Sequence, residues 1–113
     1  MESILTSIKK LLGIAEEYEH FDADLIVHIN SVFLILSQIG VGPSDGFIIA
    51  DSNATWNDFV PDDNKKMQAV KSYVYLKVKL LFDPPTSSSL LESTKALISE
   101  YEWRLNVAAE SGQ

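Results

Sequence analysis

The chain groups residues capable of chemistry in three places. The first is an acidic run in which Glu16, Glu17, Glu19, His20, Asp22 and Asp24 fall close together. Bound metal would call for a ligand spacing such as HExxH, a Glu-x-x-His repeat or a calcium-loop pattern. None occurs here, so the run reads as a solvated acidic connection. The second is the histidine pair, His20 and His28. His20 lies in the acidic connection and His28 on the edge of a helix. Neither has a nucleophile or a carboxylate partner at a recognisable catalytic spacing. The third is "GVGPSDG", residues 40–46, which lacks both GxxxxGK[ST] and GxGxxG and is therefore a turn rather than a phosphate cradle. With no cysteine there is no disulfide and no thiolate chemistry, which suits a reducing compartment. The expectation is no catalytic residue, no metal site, no bound cofactor and no enzyme.

Charge narrows the classes further. Net charge is -7, whereas duplex and membrane binders usually present a basic surface. The lysines are scattered as Lys9-Lys10, Lys65-Lys66, Lys71, Lys77 and Lys79. Lys71, Tyr75 and Lys79 form a mixed basic and aromatic face, read as lysine stems lying over apolar surface with their charge in water. No apolar run is long enough to span a bilayer, and Glu2, Lys9 and Lys10 interrupt any signal-peptide pattern. At 113 residues the chain is expected to form one domain, 1–113, able to bury about 65% of its unfolded surface.

These residues need elements to position them, and the pattern is helical throughout. In residues 2–12, Ile4, Leu5, Ile8, Leu11 and Leu12 share an arc, with Thr6, Lys9 and Lys10 opposite and Gly13 as the stop. Asp22 is the predicted N-cap of a second helix over 23–39 that ends at Gly40. Its stripe is Leu25, Ile29, Val32, Leu36 and Ile39, widened by Ile26 and Phe33. "FIIAD", residues 47–51, is a candidate short strand. Thr55-Trp56-Asn57-Asp58 resembles a capping box, with Trp56 and Phe59 predicted to anchor the loop to the core.

"VKSYVYLKVKLLFDPP", residues 70–85, fits two periods. By twos, Val70, Val74, Leu76, Val78, Leu80 and Phe82 fall on one side. By 3.6, Met67, Val70, Val74, Val78 and Leu81 do. A strand this long has no partner in the chain and exceeds the usual five or six residues. Asp62 or Asp63 supplies a cap upstream, and Asp83-Pro84-Pro85 a stop downstream. The segment is therefore predicted to be a helix, with an apolar arc of about 200° that makes it the central one. The last helix is predicted to start at the box Ser89-Leu90-Leu91-Glu92 and run to about Ala108. Its core stripe would be Leu90, Leu91, Leu97, Ile98, Tyr101 and Leu105. The tail "NVAAESGQ" reads as polar and mobile. The whole is all-α: a compact bundle of about four main helices, with a short irregular or β-like insertion between the second and the central one.

Two helices carry more apolar residues than one core needs. Val27 and Leu34 lie on the far side of the second helix. Ala96, Trp103 and Val107 lie on the far side of the last. Either the last helix is covered on both sides, or the protein packs against copies of itself through these five residues. Tryptophan is a common anchor of such interfaces.

The chain resembles the small head–tail connector (adaptor) proteins of long-tailed bacteriophages and prophages of Gram-positive bacteria. The resemblance is carried in order by "ILTSIKKLLGI", "DADLIVHINSVFLILSQIGVG", "TWNDF", "VKSYVYLKVKLLFDPP" and "LISEYEWRLN". It implies a helical subunit that forms a homo-oligomeric ring between the portal protein and the stopper or tail-completion proteins. Such a ring extends the DNA channel, through which DNA passes without specific binding. It implies a place in the virion at the head–tail junction after synthesis in the bacterial cytoplasm, with no membrane and no cofactor. Acidic residues facing the lumen would let DNA phosphates slide. Another tail-completion or accessory structural protein is the alternative, and a small helical DNA-binding regulator, which would need a basic recognition helix, a further one.

Overall fold

A computed structural model describes residues 2–60 and 64–111. The described residues form five helices: α1 Ile4–Leu12, α2 Asp22–Gln38, α3 Trp56–Phe59, α4 Asn64–Phe82 and α5 Ser88–Ser111. Among the described residues there is no strand. The one β-type contact is an isolated antiparallel bridge between Ser3 and Thr55.

The segment with two periodicities is helical. α4 packs against α1, α2 and α5 and carries Met67, Val70, Tyr73, Val74 and Val78 into the core. Tyr73 is fully buried although it carries a hydroxyl. Leu81, expected on the buried face, is exposed: it lies in the last turn of α4, just before the chain leaves the helix at Asp83. The predicted caps Asp62 and Asp63 lie outside the described residues.

α1 begins where Ser3 Oγ accepts the Thr6 N–H at 3.2 Å. It ends at Gly13, whose φ of 83° places it in the left-handed region where glycine carries no Cβ penalty. Ile4, Leu5 and Ile8 are buried as the arc predicts, but Leu11 is exposed and Lys9 is not. Lys9, predicted on the wet side, is 2% exposed. Its ammonium lies 2.9 Å from Asp22 Oδ1 and donates to the Glu16 carbonyl at 2.8 Å. That pairing also displaces the predicted cap of α2. Asp22 is the first residue inside α2, Phe21 holds the cap position, and no side chain caps the helix. Leu25, Ile29, Val32, Phe33 and Leu36 of α2 are buried, with Ile26 and Ile39 at the margin.

After α2 the chain runs without regular structure to α3. Residues 47–51 are not a strand, because a side chain takes the part a neighbouring strand would have played. Asn30 Nδ2 donates to the Ile49 carbonyl at 3.0 Å, and the Ile49 N–H donates back to Asn30 Oδ1 at 2.8 Å. Phe59, Trp56 and Phe47 gather around Phe33, with ring centroids 4.5, 6.4 and 5.2 Å from it. Trp56 and Phe59 are both buried. Asp58 closes α3 by accepting the Thr55 N–H at 2.8 Å. The N-terminal segment clasps this loop: the Ile4 N–H donates to the Ala54 carbonyl at 3.0 Å and the Trp56 N–H to the Glu2 carbonyl at 3.3 Å.

α5 begins one residue before the predicted box. Ser87 Oγ accepts the Leu90 N–H at 3.3 Å, so Ser87 rather than Ser89 acts as the capping side chain. Of the predicted core stripe, Ile98 and Leu105 are buried and Tyr101 and Leu91 half-buried, while Leu90 and Leu97 are exposed. The helix continues to Ser111 where a mobile tail was expected. Ala109 is buried, and a Cβ on Gly40 would come 3.2 Å from it. Asn106 Nδ2 donates to the Ile39 carbonyl at 3.2 Å, satisfying one of the end carbonyls that α2 leaves open. These contacts tie the end of α5 to the end of α2.

Candidate functional site

The polar clusters of the molecule serve its interior. Lys9 and Asp22 fasten the acidic connection to α1. The ion pair is not an aligned hydrogen bond, since Oδ1 accepts none. The Tyr73 hydroxyl donates to Glu102 Oε2 at 2.6 Å, with Lys77 Nζ 3.8 Å from the same oxygen, and this joins α4 to α5. Burial, then the hydrogen bond and the charge of Glu102, push the Tyr73 phenol far above its ordinary value. His20 stacks edge-on to Phe21 at 4.9 Å between ring centroids, and His28 lies 6.4 Å from Phe82. Among the described residues no group of three His, Cys, Asp or Glu side chains is placed to hold a metal ion. Among the described residues no helix is long and apolar enough to cross a membrane.

What distinguishes the surface is apolar. On α2, Val27 is 63% and Leu34 62% exposed. They stand two turns apart, opposite the stripe that faces the core. Ile48 from the following loop is 76% exposed and lines a shallow groove of about 310 Å³ together with Leu34, Phe47 and Asp45. On α5, Ala96 and Val107 are exposed beside Trp103, which is 65% exposed. Leu90 and Leu97 add to the open apolar surface of the same helix. The structure therefore sets the five residues singled out in the sequence on two stripes. Each stripe faces away from the core, with α4 packed against both of the helices that carry them.

Three contributors escaped the sequence pattern. Ile48 had a signal: in "FIIAD" Phe47 and Ile49 turn inward, so alternation sends Ile48 out. Leu90 and Leu97 had none, because periodicity groups residues on a face without saying how far a neighbouring helix covers it.

Charge is uneven too. From Asp22 to Val60 there is no lysine or arginine, while Asp22, Asp24, Asp45, Asp51 and Asp58 are all acidic. The α2 side of the molecule is apolar and anionic. The cations lie on α1, α4 and α5.

A small all-α chain whose buried polar pairs bind its own helices together, and whose surface carries two open apolar stripes, has the character of a structural subunit. The comparison with protein families gives that class its identity. Residues 4–112 match the model of a family described as phage connector protein, and the chain belongs to that family. Neither a curated protein nor a solved structure matches it. Membership makes it a structural connector component of a phage, which assembles with other head and tail proteins, and it implies a non-enzymatic role.

Proposed function

We propose that the protein forms a ring between the portal and the stopper or tail-completion proteins of the virion, extending the channel through which DNA passes. The observation that carries this reading is the pair of separate apolar stripes, Val27 with Leu34 and Ala96 with Trp103 and Val107, on a chain of the connector family. A head-to-tail ring needs two different patches on every subunit, and each stripe is apolar at helical spacing on a face turned away from the core. The net charge of -7 fits a channel wall that repels phosphate and binds no DNA sequence. DNA here is cargo passing through, not a ligand.

Native mass spectrometry over a concentration series, on the wild type and on Trp103→Asp, with and without the portal protein, tests the reading. A closed ring in the wild type, alone or on the portal, supports it. A wild type that stays monomeric in both samples overturns it. Loss of the ring in Trp103→Asp assigns the α5 stripe to the subunit contact.

A further inference from the structure

Residues 47–51, "FIIAD", have the composition of a strand and no second strand beside them. From Phe47 to Ala50 the chain makes no turn or bend. Exposure alternates along it: Phe47 is half-buried, Ile48 open, Ile49 buried and Ala50 open. That period of two belongs to extended backbone. The Asn30 amide bonds both the N–H and the C=O of Ile49, as one residue does to another in a hydrogen-bonded antiparallel pair. A side chain therefore occupies one edge of the segment. In extended backbone the residues on either side of Ile49 aim their N–H and C=O groups the opposite way, so Ile48 and Ala50 present theirs on the other edge. Among the described residues none of those groups has a hydrogen-bond partner.

That edge is fixed in place and unguarded. Phe47 packs on Phe33 and Phe59, with ring centroids 5.2 Å from each, and Ile49 is 3% exposed. The backbone between these anchors is already held straight, so pairing it costs little further ordering. Proteins commonly blunt an open edge with lysine, proline or a bulge. Between Gly46 and Val60 there is no lysine, arginine or proline. The chain does not cover the edge itself, since its one β-type contact, Ser3 with Thr55, is already made. A like edge from a second copy would set two chains of net charge -7 together and close a two-fold dimer, leaving nothing to continue a ring.

We propose that the outer edge of residues 48–50 accepts an extended segment of a neighbouring head or tail protein as an added strand. Main-chain bonds to Ile48 and Ala50 supply the attachment, and an apolar side chain of the incoming segment covers Ile48. Asp45 and Asp51 bracket the edge in sequence, which selects a neutral or basic segment over an acidic one. The source of the added strand rests on the connector reading above; the open edge does not.

Amide hydrogen exchange over residues 47–51 tests this, in the protein alone and in its mixtures with the portal protein and with the stopper or tail-completion protein. In one mixture the Ile48 and Ala50 amides are expected to slow at least about tenfold, while Ile49, already bonded to Asn30, changes little. Ala50→Pro deletes an outer-edge N–H and suits extended backbone, so Ile49 stays clamped. It is expected to weaken that complex at least about tenfold, whereas Ala50→Ser, which keeps the N–H, binds as the wild type does. A complex in which Ile48 and Ala50 of the wild type still exchange freely overturns the added strand and leaves the connector reading intact. Slowing that appears in the protein alone as its concentration rises would mean that like edges pair, which overturns the assignment to another protein. No complex with either protein removes the connector reading and the added strand together.

Discussion

The Tyr73 hydroxyl donates a 2.6 Å hydrogen bond to the Glu102 carboxylate, joining the middle of α4 to the second half of α5. The phenol is held well above the ordinary tyrosine range, chiefly by burial. The folded state therefore keeps the Tyr73 proton more tightly than the unfolded chain does. Its contribution to stability is complete below about pH 10, the ordinary tyrosine value, and is lost as pH rises beyond it. The midpoint of thermal unfolding is expected to fall above pH 10 in the wild type and to fall less steeply in Tyr73→Phe. Equal slopes in the two proteins would remove Tyr73 from the account. Near neutral pH, Tyr73→Phe should cost about 1 kcal/mol, since Glu102 keeps Lys77 and partial contact with water.

The Lys9–Asp22 pair predicts an asymmetry. The Lys9 side chain is 3% exposed and that of Asp22 25%. Removing the carboxylate leaves the more deeply buried charge with only the Glu16 carbonyl as partner, so Asp22→Leu should cost about 3 kcal/mol or more. Lys9→Met should cost less, because the Asp22 side chain left behind is partly exposed even though its Oδ1 is buried. Urea unfolding of the two variants and of their combination checks the order, and a larger cost for Lys9→Met would contradict it.

Trp56 depends on a partner far away in the chain. Its Nε1 donates to Ser7 Oγ at 2.8 Å, and that hydroxyl donates in turn to the Ile4 carbonyl at 3.0 Å. Ser7→Ala leaves a buried indole N–H with no acceptor and should cost about 1–3 kcal/mol. Trp56→Ala also empties a large volume beside Phe33 and should cost about 3–5 kcal/mol. Chemical denaturation of both variants tests the ranking.

Asn30 holds the loop that forms one wall of the groove. With its two bonds to Ile49 removed in Asn30→Ala, amide exchange of Ile49 is expected to accelerate strongly, while the amides of Val74 and Val78 in α4 stay protected. Uniform acceleration across the chain would show that the side chain supports the whole fold rather than this loop.

The sequence made the helices and the central place of α4 readable, because an apolar period of 3.6 and stop residues such as Gly13 and Asp83-Pro84 act locally. The buried face of α2 follows from the same rule. The errors arise where a residue's role depends on a distant partner. Asp22 reads as a cap until Lys9 claims its carboxylate, and Lys9 reads as surface until Asp22 allows its burial. Residues 47–51 read as a strand until Asn30, on another element, fills the place of a neighbour. Leu81, Leu90 and Leu97 lie on regular stripes, but no local signal marks where the packing over them stops. The outward stripes of α2 and α5 were legible as spacing. The groove beside Ile48 was not, since a loop had to be placed against α2 to make it.

The cation-free stretch through α2 and its loop has a practical consequence. Trypsin has no cleavage site between Lys10 and Lys65, whether the chain is folded or denatured. The entire α2 wall, groove included, leaves a digest as one long peptide, and amine-reactive labels cannot mark it. Footprinting with lysine chemistry would report on α1, α4 and α5 and stay blind to the open apolar surface around α2. Mapping there calls for carboxylate-directed or photochemical reagents, or a protease that cuts beside aspartate or aromatic residues.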